Sequence, residues 1–140
     1  MKIKHMENKN EYPFSIINLR LSTGAVEWLS GTTTDNDGNG VRNIDIFNGL
    51  LKDMRTAAGH DSSFRRPIDL QPGQAQFSEI GLAGRWRLGR KRMHNILSRM
   101  EAVGLVKIHN SRIGSAVTFT CVMCWENSNG EPAINQLYTG

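Results

Sequence analysis

Between Arg90 and Val103 the apolar residues Met93, Ile96, Leu97, Met100 and Val103 recur at i, i+3, i+4, i+7 and i+10. That period predicts a helix with one face committed to a core, and Gly104 stands where a left-handed cap would end it. The remaining face is basic. Between Ile80 and Met100 lie six basic residues (Arg85, Arg87, Arg90, Lys91, Arg92 and Arg99) and no acidic one. The formal net charge is +4, so this stretch carries +6 and the rest of the chain −2. Charge gathered on one helix of a near-neutral body points to an anionic partner at one face rather than to general solubility.

The flanking sequence supplies a context for that helix. Ser78 is placed to cap a short preceding helix whose Ile80, Leu82, Ala83 and Trp86 form its buried side, and Arg87-Leu88-Gly89 reads as a tight turn. After Gly104, "LVKIHN" and "AVTFTCVMCW" read as the two strands of a hairpin, with Val117, Phe119, Cys121 and Met123 alternating. The linker Ser111 to Ser115 forms its basic tip. Upstream, Ile44, Phe47, Leu50, Leu51 and Met54 lie at helical spacing, with Asn43 or Asp45 as a start and Gly59 as a stop. Pro67 and the Pro72-Gly73 pair break the segment Ser62 to Ala75 into a loop and a short strand. "FSIINLRLS", Phe14 to Ser22, reads as a strand, and Ser30 to Gly40 as a surface loop.

This order predicts an α+β winged helix-turn-helix, a three-helix core with a β-hairpin wing, preceded by an N-terminal arm. The expected division is an arm and loop over 1–40, a DNA-binding domain over 41–126 and a tail over 127–140. The recognition helix would start at Arg90 and present its free face to a major groove. Arg90, Lys91 and Arg92 occupy its first turn, where phosphates also meet free N–H groups and the positive end of the helix dipole. His94, Asn95, Ser98 and Arg99 lie away from the apolar stripe. Asn95 suits an adenine edge, and Arg90 or Lys91 suits guanine. Arg87 in the turn and Arg112 in the wing complete the expected contacts, Arg112 reaching phosphate or an adjacent minor groove.

The stretch Leu70 to Ile108 resembles the winged-helix domain of phage and plasmid replication initiators and DnaD-like replisome organisers. The resemblance rests on a Leu-x-x-Gly-Gln entry (Leu70, Gly73, Gln74), a Leu-Ala-x-x-Trp helix (Leu82, Ala83, Trp86), and a basic helix leading into Met100, Gly104, Leu105 and Val106. Gly89 stands where that family commonly has Ser or Thr. The resemblance implies transcription or replication control of a mobile element through double-stranded DNA. A protein-interaction module with an acidic partner is the alternative, and RNA a third possibility.

Other chemistries find less support. Asp35, Asp37, Asn39 and Gly40 match positions 1, 3, 5 and 6 of a calcium loop, but Ile46 occupies the position that needs a bidentate carboxylate. Cys121 and Cys124 form a lone CxxC on an expected strand, which reads as buried small side chains and not as a metal site. His5, His60, His94 and His109 are scattered, and no catalytic grouping or phosphate loop is visible, so no enzyme, metal, cofactor or small-molecule ligand is expected. The first residues lack an apolar signal segment and no stretch is long enough to span a bilayer, which gives a cytoplasmic expectation. Phe14 to Leu29 is the expected contact for a homodimer, with Phe14 and Trp28 packing that arm either onto the domain or onto a second copy, while Trp86 is expected in the core.

Overall fold

The computed structural model describes residues 11–139. The strongest sequence signal gives the clearest element: α4 spans Arg90–Ala102 and buries Met93, Ile96, Leu97 and Met100. Removing these four side chains from water contributes about 1.5–3 kcal/mol each. The helix ends in a Schellman motif. The Gly104 N–H donates to the Glu101 carbonyl (3.1 Å) and the Leu105 N–H to the Met100 carbonyl (2.9 Å), with Gly104 at φ +85°. Glycine is needed there because a side chain is strained in the left-handed region.

In chain order the elements are β1 (Phe14–Leu19), α1 (Thr23–Leu29), β2 (Thr32–Thr34), β3 (Gly40–Arg42), α2 (Asn43–Leu51), β4 (Gln74–Phe77), α3 (Glu79–Arg85), α4, β5 (Lys107–Asn110), β6 (Ser115–Thr118), β7 (Val122–Asn127) and β8 (Pro132–Ile134). The strands make three antiparallel sheets, β1-β7-β8, β2-β3 and β4-β6-β5. One apolar cluster runs from Phe14 through α2, α3 and α4 to Trp125. Phe47 and Phe119 meet edge to face at its centre, their ring centroids 6.2 Å apart.

The architecture is therefore α+β with four helices and three small sheets, and the expected three-helix core with a β-hairpin wing and an N-terminal arm is corrected. Two features overturn it. The described residues before residue 40 are built in: β1 pairs with β7, Phe14, Ala25 and Leu29 are buried, and α1 is a further helix. Ser22 caps α1 by accepting from the Ala25 N–H, and its hydroxyl donates to the Val103 carbonyl at the end of α4. The run expected as the second hairpin strand, "AVTFTCVMCW", is also broken in two. Its first part is β6, between β4 and β5, while its second part is β7, the centre of a different sheet.

The break is stabilised from outside the run. Phe119 donates its N–H to the Gly73 carbonyl (2.9 Å), and Val122 turns back to the Phe119 carbonyl (3.1 Å). The buried Asn135 amide donates to the carbonyls of Phe119 (3.1 Å) and Val122 (2.8 Å), so the segment read as a tail holds the crossover between sheets. Gly73 is required beside it. Its φ is +94°, and an added Cβ would lie 2.5 Å from Asn135 Oδ1.

Shorter corrections follow from the same packing. The expected loop Ser30 to Gly40 contains β2 and the turn of the β2–β3 hairpin. Its turn is closed by Asp35, whose Oδ1 accepts from the N–H groups of Asp37 and Asn39, both at 2.9 Å. The helix expected to run to Gly59 stops at Leu51, and Ile46 is buried where the expected stripe had Ile44. On α3, Leu82 and Ala83 are buried as expected, but Ile80 is 64 % exposed.

Candidate nucleic-acid interface

α3 and α4 pack on each other and are joined by the turn Trp86 to Gly89. Ser78 caps α3 as expected, accepting from the Gly81 N–H at 3.0 Å. The helix closes with a second Schellman motif: Arg87 N–H to the Gly84 carbonyl (3.3 Å) and Leu88 N–H to the Ala83 carbonyl (2.8 Å). The left-handed residue is Arg87 at φ 58°, a conformation unfavourable for any side chain other than glycine's absent one. Two contacts hold it there. Its carbonyl accepts from the Asn36 N–H (2.8 Å), and its Nε donates to Asp37 of the β2–β3 turn. The Arg87 guanidinium holds the Asp37 carboxyl below the usual carboxylate range.

The expected site residues separate into two groups. Arg87 faces Asp37, and Arg92 donates to the Thr34 carbonyl of β2, so they tie the α3–α4 turn and α4 to the β2–β3 hairpin. Arg90 and His94 converge on Glu79 at the start of α3: Arg90 Nε is 3.5 Å from Oε1, and His94 Nδ1 is 3.0 Å from Oε2. Lys91, Asn95, Ser98 and Arg99 are exposed and have no side-chain partner among the described residues. At 100° per residue, Lys91, Asn95 and Ser98 lie opposite the buried stripe, with Arg99 beside them. Gly89 offers no side-chain cap and the first turn holds no acidic residue, so the unpaired N–H groups of α4 remain open to an anion.

Arg112 is exposed at the tip between β5 and β6. Ser111 makes that tip rigid, donating from Oγ to the Gly114 carbonyl (2.8 Å) and accepting from the Gly114 N–H (3.1 Å). The fold also brings in two arginines that sequence reasoning missed as contacts. Arg65 and Arg66 lie on the loop before β4, which is pinned by the buried Gln76. Gln76 Nε2 donates to the Arg66 carbonyl (3.0 Å), and its Oε1 accepts from the Ile68 N–H (3.1 Å). The consecutive arginines were a visible signal, but their position beside α4 depends on this long-range anchoring.

Cys121 is buried and its thiol is pushed up to about 12 by desolvation, whereas Cys124 accepts from the Asn18 amide at 3.1 Å. Among the described residues no cluster of three His, Cys, Asp or Glu side chains is placed to hold a metal ion, and no helix is long and apolar enough to cross a membrane. Compared with protein-family models, curated proteins and solved structures, the chain matches none of them.

Proposed function

We propose that the exposed face of α4 binds double-stranded DNA, with Lys91, Asn95, Ser98 and Arg99 entering the major groove and Arg90 and Arg112 contacting phosphates. One observation carries this reading: a row of basic and amide side chains free of protein partners, opposite a stripe that fixes the helix rigidly to the core. A preorganised Asn95 matches the donor and acceptor pattern of adenine, and Lys91 matches the acceptors of guanine. The resemblance of Leu70 to Ile108 supports a role in transcription or replication control of a mobile element, within a cytoplasmic setting. One such helix reads only a few base pairs, so the reading includes a second copy on a two-half site.

The test is fluorescence anisotropy on a mixed-sequence duplex across a salt series. The wild type is expected to bind with a log-log salt slope of about −0.9 per phosphate contact. Arg90→Ala/Lys91→Ala/Asn95→Ala is expected to lose that binding, and Asn95→Ala alone to relax preference at one base pair by about tenfold or more. Absence of binding by the wild type at low salt would overturn the DNA reading in favour of an acidic protein partner. Single strands or A-form duplex competing better than B-form DNA would assign the face to RNA.

A further inference from the structure

Beside the start of α4 lies an open cleft of about 400 Å³, walled by Phe64, Arg65, Arg66, Ile80, Arg90 and Ile113. Separate segments converge on it: the loop before β4 and β4 itself, the start of α3, the first residue of α4 and the β5–β6 tip. Its chemistry alternates. Ile80 and Ile113 are 64 % and 61 % exposed, large apolar surfaces left uncovered on rigid supports, while Arg65 and Arg66 make no side-chain hydrogen bond or ion pair among the described residues. The one carboxylate in the cleft, Glu79, is already shared by Arg90 and His94.

We infer that this cleft takes the sugar–phosphate backbone of one DNA strand flanking the segment read by α4. Arg65 and Arg66 each hold a phosphate, and Ile80 and Ile113 pack against the apolar faces of the deoxyriboses between them. A polyanion with apolar spacers fits this alternation, and arginine's planar fork matches phosphate oxygens in pairs. Arg90 belongs both to the cleft and to the first turn of α4, which makes the two surfaces continuous. The inference rests on the DNA reading of α4 and lengthens its footprint by about two phosphates.

The experiment compares wild type, Arg65→Ala/Arg66→Ala, Ile113→Ser and Lys91→Ala/Asn95→Ala on one duplex across a salt series, with thermal unfolding of each as a folding control. The arginine pair is exposed, so its replacement is expected to leave the unfolding temperature unchanged. It should make the log-log salt slope shallower by about 1.8, two contacts at 0.9 each, without changing base preference. Ile113→Ser is expected to weaken binding severalfold at an unchanged slope. An unaltered slope in the arginine variant, with binding still lost in Lys91→Ala/Asn95→Ala, would overturn the cleft assignment and leave the α4 reading standing. Failure of the wild type to bind duplex would remove both. Displacement of duplex by poly-glutamate, abolished in the Arg65→Ala/Arg66→Ala variant, would assign the cleft to an acidic protein and overturn the backbone assignment.

Discussion

At Arg87 the backbone and the side chain pull in opposite directions. The left-handed φ costs about 1–2 kcal/mol for a residue with a Cβ, and a solvent-screened ion pair such as that with Asp37 returns little. Arg87→Gly is therefore expected to unfold at or slightly above the wild-type temperature, whereas Arg87→Ala keeps the strain, loses the pair and unfolds lower. Thermal melts of wild type and the two variants check this; a glycine variant clearly less stable than wild type would mean that the ion pair outweighs the strain. Lys91, Asn95, Ser98 and Arg99 were legible as exposed because each lies off a strongly periodic apolar stripe, but the same pattern put His94 on that face and did not reveal its contact with Glu79. The partners of Arg87 and Arg92 were not legible, since Asp37 and Thr34 lie 50 and 58 residues upstream and nothing local encodes the meeting.

Elements with a self-sufficient local pattern were readable in the same way. α4 has its stripe and its Gly104 cap, and α3 has Ser78, so both stand where expected. The β6–β7 break was hidden because Val117, Phe119, Cys121 and Met123 alternate straight through it, and period alone cannot tell one long strand from two short ones in different sheets. What divides them is Asn135, remote in sequence and carrying no strand signal. The β2–β3 hairpin was hidden for a related reason: its three-residue strands are mostly threonine and glycine, and its turn uses Asp35 in place of a standard two-residue signature. Asn135→Ala is expected to destabilise the protein by about 1–3 kcal/mol, because the Val122 carbonyl loses the Asn135 amide and the Phe119 carbonyl is left with the Val122 N–H alone. Denaturant unfolding measures the loss, and a change below about 0.5 kcal/mol would show that other groups satisfy those carbonyls.

On the scale of the whole molecule, the single core matters more than any one surface. β1 and α1 pack into the same cluster as the helix proposed to read DNA, so a ligand on α4 stabilises the described fold as one body. Saturation with duplex at about 100 times Kd adds about 2.7 kcal/mol. The Cys121 thiol, sealed where the chain passes from one sheet to the other, turns this into a stopwatch. In a Cys124→Ser background an alkylating reagent can reach that sulfur only when the core opens. The labelling rate at pH 8 then counts openings, and saturating duplex is expected to slow it about a hundredfold. Labelling of Cys121 as fast as that of an exposed thiol would instead place a door in the core at the seam between the sheets.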